Sequence, residues 1–161
     1  MLIAVLSDTH LPRGARRLPV ACLELIARAD LVLHGGDFVR TTVLDELAAL
    51  APVEAVHGNI DEPALQALLP ERRVVDAGCV RIGMVHDAGP RAGRAERLML
   101  AFPGCAAVVY GHTHQPELTR HGGVWILNPG SPTERRRAPH RSLIALELEG
   151  VELSPRLVTL D

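Results

Sequence analysis

The strongest constraint in this chain is a rhythm. Across its first two thirds, short apolar runs that end in polar residues alternate with stretches of helical spacing. LIAVLSD is followed by LPVACLELIARAD, and DLVLHGGD by TTVLDELAAL, which has a threonine available as N-cap. PVEAVHGN is followed by EPALQALL, with a proline near its first turn, then CVRIGMVHD by RAGRAERLMLAF, and CAAVVYGHTH closes the series. Strand, helix, strand in this order predicts βαβ units and a largely parallel sheet. After Gln115 the helical stretches stop. ELTRHGGVWILNPGS predicts a hairpin around Gly122 and Gly123, and SLIALELEGVELSPRLVTL another around Gly150. The expectation is a layered α/β sandwich in which the later strands form or extend a second sheet. It is a single domain over residues 1–161, with no linker or repeat.

Composition narrows the chemistry. The chain has 161 residues, 47% of them hydrophobic and 22% charged, enough for a globular core. Its 17 basic against 19 acidic residues leave a net charge of -2, which argues against polymeric nucleic acid as the partner. Every basic side chain is an arginine, so a Schiff-base lysine and a P-loop lysine are both excluded. Cys22, Cys79 and Cys105 are widely spaced with no CxxC pair, and are expected to be small buried apolar residues. The most apolar stretch, Leu98 to Tyr110, is broken by Pro103 and Gly104 and falls short of the roughly 20 residues of a spanning helix. The N-terminus lacks the basic region of a signal peptide. No membrane association is expected, and the cytoplasm is the expected compartment.

The informative feature is where the polar residues fall. Each apolar strand ends in a side chain that can bind metal: Asp8 and His10, then Asp37, Asn59, His86, and finally His112 and His114. Ligands of open α/β sheets bind outside the carboxyl ends of the strands, so these residues should converge on one rim. Oxygen and nitrogen donors without cysteine suit hard or borderline divalent cations, and this many exceeds one tetrahedral site. Two cations sharing a carboxylate satisfy the count, and Asp37, which follows two glycines, is the expected bridge. The D-x-H and H-x-H spacings would put each pair on one side of an extended segment. Alone, each element reads as a turn or cap. Their recurrence at successive strand ends points to a site.

Taken together, SDTH, HGGD, HGN, the histidine of VHD, GHTH and the later NPGSP resemble the calcineurin-like metallophosphoesterases, in particular the small YfcE-like phosphodiesterase branch. The resemblance spans nearly the whole chain. It implies a four-layer αββα sandwich and a dinuclear centre, with manganese first and nickel, zinc, iron or magnesium as alternatives. One metal would be held by Asp8, His10, Asp37 and His114, and the other by Asp37, Asn59, His86 and His112. Two cations roughly 3.5 to 4 Å apart would clamp a phosphoryl oxygen and make a bridging hydroxide available for in-line attack on a small phosphodiester. Small members of the family also imply a homo-oligomer, a dimer or tetramer. The alternatives are a phosphomonoesterase and a non-catalytic protein-binding scaffold, the use to which the retromer subunit of this fold is put.

Two departures from the family pattern matter. The wider family has a histidine after the asparagine of GN, where this chain has Ile60; the small branch also lacks it. In VHDAG, Asp87 and Ala88 stand where the branch often has further glycine and histidine. Three residues are expected to support the ligands: His34, His57 and Asp61. Asn128 and Ser131 of NPGSP, and Arg135 at the head of the Arg135–Arg137 run, are the expected substrate contacts. His121 and His140 are expected at the surface.

Overall fold

The structure, a computed structural model, describes residues 1–160. Its elements run β1 (Leu2–Leu6), α1 (Val20–Arg28), β2 (Leu31–His34), α2 (Thr41–Ala48), β3 (Val53–Ala55), α3 (Pro63–Leu68), β4 (Arg72–Ala77), β5 (Val80–Val85), α4 (Arg94–Ala101), β6 (Ala107–Tyr110), β7 (Glu117–His121), β8 (Val124–Asn128), β9 (Ser142–Glu149) and β10 (Glu152–Thr159). Two five-stranded sheets result, ordered β10-β9-β1-β2-β3 and β4-β5-β6-β8-β7.

Strict alternation along the strands builds the layers. In β1, Ile3 and Val5 point into the space between the sheets, where they meet Ile82 and Met84 of β5 and Val109 of β6; Ala4 and Leu6 point the other way, onto Cys22 and Ile26 of α1 and Val43 and Leu47 of α2. On the second sheet, Val108 and Tyr110 of β6 and Ile126 of β8 pack beneath Ala95 and Leu98 of α4. Strands covered on both faces read as continuous apolar runs, which is why LIAVL and AVVY carry no polar alternation. The architecture is two sheets flanked by helices, the αββα sandwich expected.

Three details differ from expectation. RRVVDA forms a strand, β4, antiparallel to β5 through a turn at Gly78 and Cys79, so the βα alternation is interrupted there by a hairpin. Cys79 is consequently exposed, while Cys22 and Cys105 are buried. Finally, α2 begins at Thr41 with Arg40 at the N-cap and no side-chain cap. Glu62 Oε1 accepts the Thr41 N–H at 2.7 Å instead. The two closing hairpins form as expected, but in different sheets: β7–β8 joins the second sheet through β6, and β9–β10 extends the first antiparallel to β1.

Candidate metal centre

The segments that leave β1, β2 and β3 in one sheet meet those that leave β5 and β6 in the other. There the structure brings together Asp8, His10, Asp37, Asn59, His86, His112 and His114. The segments are not extended, as the spacing argument supposed. Asp8 has φ 55°, His10 48°, Asp37 61°, His112 68° and His114 57°, all left-handed. Side chains other than glycine rarely adopt that region, at roughly 1 kcal/mol or more each, and such residues gather at functional sites. The curl sends the two histidines of H-x-H apart. His114 packs edge-on to His10, with ring centroids 4.9 Å apart, and His112 packs edge-on to His86 at 5.3 Å.

Two groups of donors follow. The oxygen and nitrogen atoms of Asp8, His10 and His114 lie within 4.8 Å of one another, as do those of Asp8, Asp37 and His86. Asp8 belongs to both groups, yet its Oδ2 already accepts from the Ser7 hydroxyl and, at 3.0 Å, from the His112 N–H. Asp37 divides differently. Its Oδ1 takes the Ile60 N–H at 3.1 Å, leaving Oδ2 at 3.3 Å from both His10 Nε2 and His86 Nε2. That oxygen faces both halves. Asn59 Oδ1 completes the second half, 3.1 Å from His86 Nε2 and 3.1 Å from His112 Nδ1. Asp8, His10 and His114 are buried as a floor, whereas Asn59 and His112 are exposed at the mouth.

The surroundings orient the imidazoles. His86 Nδ1 donates to Gly35 O at 2.7 Å, His114 Nδ1 to Glu134 O at 2.6 Å, and His10 Nδ1 to Glu134 Oε2 at 3.1 Å. Each bond turns Nε2 inward, where it donates to a neighbouring carboxylate when the ring is protonated and offers an electron pair to a cation when it is not, the arrangement typical of histidines that bind metal. His114 Nε2 is buried without a hydrogen-bond partner among the described residues, 3.4 Å from Asp8 Oδ1. Burial alone would raise the Asp37 carboxyl, but the hydrogen bonds with His10 and His86 hold it well below the usual carboxylate range. Burial would lower His86, but Asp37 and Asp8 overcome it and lift the imidazole to about 8. Buried carboxylates, an amide oxygen and inward imidazole nitrogens, one of them orphaned, match the donor set of hard or borderline divalent cations.

Behind these residues lies a frame. Asp61, buried, accepts three backbone N–H groups: Asp37 at 3.1 Å and Gly58 at 2.7 Å on Oδ2, and Val39 at 2.7 Å on Oδ1. It ties the Asp37 turn to the Asn59 turn. The two approach so closely that a Cβ on Gly58 would sit 2.0 Å from Asp37 Oδ1, so only glycine fits. His34 accepts the Gly36 N–H at 3.2 Å, contacts Thr9 Oγ1 at 3.3 Å and stacks on Phe38; burial drives its imidazole down to about 3, so it stays neutral. His57 is half-buried against Gly58 O at 3.2 Å.

The NPGSP loop braces the site from behind. Asn128 is buried and donates to Gly111 O and Thr113 Oγ1 while accepting from Gly130 N. Ser131 donates to Asp8 O at 2.7 Å. Substrate contact was expected of both; each is buried and bonded to the segments that carry Asp8 and Thr113. Arg135, also expected on substrate, gives Nη1 to Ala138 O at 3.0 Å. Glu134 was missed altogether. It touches His10 through its carboxylate and His114 through its carbonyl, and its position just after NPGSPT was the only signal available.

The sequence profile of the calcineurin-like phosphoesterase superfamily domain matches residues 1–150, and the chain belongs to that superfamily. It is 35% identical over 160 residues to a probable metallophosphoesterase of Methanothermobacter thermautotrophicus, covering 98% of this chain and 92% of that protein. A probable metallophosphoesterase of Methanocaldococcus jannaschii is 36% identical over 164 residues, covering 100% of this chain and 82% of that protein. Among solved structures, Vps29 of Entamoeba histolytica complexed with zinc superposes with a TM-score of 0.78 at 27% identity, over 100% of both chains.

Proposed function

We propose that the protein is a phosphodiesterase that works with two divalent cations. The observation that carries this reading is Asp37 Oδ2, which lies 3.3 Å from both His10 Nε2 and His86 Nε2 and so faces both sides of the site. Asp8, His10, Asp37 and His114 would hold one cation, and Asp37, Asn59, His86 and His112 the other, with manganese the first choice. Bound there, such a pair supplies Lewis-acid neutralisation of phosphoryl oxygen and an activated water.

The chain's own part is positioning. Glu134 and Gly35 fix the histidine tautomers, Asp61 holds the Asp37 and Asn59 turns in register, and the exposed edge at Asn59 and His112 admits the ester. Ile60 stands at the rim, 41% exposed, where the wider family has a histidine. It has no proton to give, which costs roughly 10² to 10⁴ in rate for poor leaving groups. Diesters with acidic alcohols are therefore the preferred substrates. The enzyme would work in the cytoplasm as a single domain; no helix among the described residues is long and apolar enough to cross a membrane.

The test is hydrolysis by chelator-stripped protein with manganese, nickel, magnesium or zinc returned singly. Manganese is expected to restore cleavage of an aryl diester over an alkyl monoester. Faster cleavage of the monoester would contradict the diester assignment. If no metal restores any hydrolysis, the protein is a binding scaffold of the same fold.

A further inference from the structure

Two clefts adjoin the segments that carry or brace the proposed ligands, and they differ in charge. The smaller, of about 180 Å³, adjoins Asn59 and His86 and carries the exposed carboxylates of Glu71 and Asp87. The larger, of about 570 Å³, is lined by Thr113, Gln115, Arg136 and Arg137. Thr113 stands between His112 and His114, and Arg136 follows two residues after Glu134, which orients His10 and His114. The larger cleft is therefore built on the same two loops that supply and brace the proposed ligands.

The arginines of this region divide into two kinds. Arg16 is paired with Glu134 at 3.1 Å, and Arg135 is bonded to Ala138 O. Arg136 and Arg137 have no hydrogen bond or ion pair among the described residues, and no carboxylate lines their cleft. Two guanidinium groups without counter-charges, in a concavity of a chain with net charge -2, form a local attractor for anions. Guanidinium forks bind phosphoryl groups bidentately, which adds direction to the attraction.

We infer that Arg136 and Arg137 form a second anion subsite, which receives a phosphoryl group carried by the substrate beyond the scissile phosphorus. This rests on the reading of the metal centre as hydrolytic, and it adds substrate class and orientation. The terminal phosphate lies against the arginines. The uncharged end of the diester lies toward Asn59 and His86, where Glu71 and Asp87 would repel an anion. The favoured substrate is a small diester with a terminal phosphomonoester, such as a phosphorylated dinucleotide.

The probe is a pair of thymidine dinucleotides, pTpT and TpT, that differ only in the terminal phosphate. Each is titrated by calorimetry into the full chain, in chelator at low ionic strength so that nothing turns over. Wild-type protein is expected to bind pTpT about tenfold more tightly than TpT, and the double variant Arg136→Gln, Arg137→Gln to lose that preference with TpT binding unchanged. Equal affinities in the wild type, or a preference that survives in the variant, would overturn the subsite. Binding that tightens steadily with oligonucleotide length would assign the arginines to polymeric nucleic acid and also overturn it. With manganese present, the same pair should show the preference in KM. Absence of turnover there would count against the hydrolytic reading, while the titration in chelator still decides the subsite.

Discussion

Asp61 and Glu134 touch no proposed substrate, yet both determine where the ligand side chains point. The carboxylate of Asp61 satisfies the N–H groups of Asp37, Val39 and Gly58. Asp61→Ala should therefore leave buried donors unpaired and lower stability by about 3 kcal/mol, read from urea unfolding of the metal-stripped protein; a loss under about 1 kcal/mol would contradict that role. Asp61 was legible because it follows the GN turn at a fixed spacing. Glu134 was not, since half of its work is done by a backbone carbonyl, which no residue code announces. The same applies to the left-handed backbone of Asp8, His10, Asp37, His112 and His114. Their side chains were readable as donors, but the curl that distributes His112 and His114 between two halves is set by contacts with the opposite sheet.

At the scale of elements, hydrophobic periodicity carried most of the information, and it failed where a strand was short of apolar residues. β4 opens with Arg72 and Arg73 and alternates exposed with buried positions as an edge strand, so it lacks the continuous run that marks β1 or β6. Missing it placed Cys79 in the interior by default, when it lies in the turn that joins β4 to β5. The three thiols should therefore differ in reactivity. Cys79 is exposed, Cys105 is buried against α4, and burial pushes the Cys22 thiol up to about 12. Ellman's reagent should titrate Cys79 alone in the native protein and all of Cys22, Cys79 and Cys105 in denaturant. Immediate reaction of more than Cys79 in native buffer would contradict the packing of α1 and α4.

At the scale of the whole molecule, the sandwich makes the site by bringing two sheet rims together. Asp8, Asp37 and Asn59 belong to the first sheet, and His86, His112 and His114 to the second, so neither half of the donor set exists without the other. The apolar layer between the sheets, from Ile3 and Val5 to Ile82, Met84 and Val109, holds that registration. That strands and helices stack in layers was readable from their rhythm, whereas the αββα order came with the family resemblance, since β5 and β6 of the alternating part already belong to the second sheet. Which sheet each closing hairpin would join was not, because a hairpin's pattern defines its own pairing and leaves its docking edge open. Cations that bind only the folded chain stabilise it by mass action, so a divalent cation taken up where the two rims meet should raise the unfolding midpoint.

The most direct measurement is calorimetric titration of manganese into chelator-stripped protein, wild type beside Asp37→Asn. With Asp37 Oδ2 shared between the His10 and His86 halves, the wild type is expected to take up two ions per chain, and the variant to lose one site and weaken the other about 10- to 100-fold. A single site in the wild type, or an Asp37→Asn isotherm that overlays it, would contradict the shared-carboxylate centre.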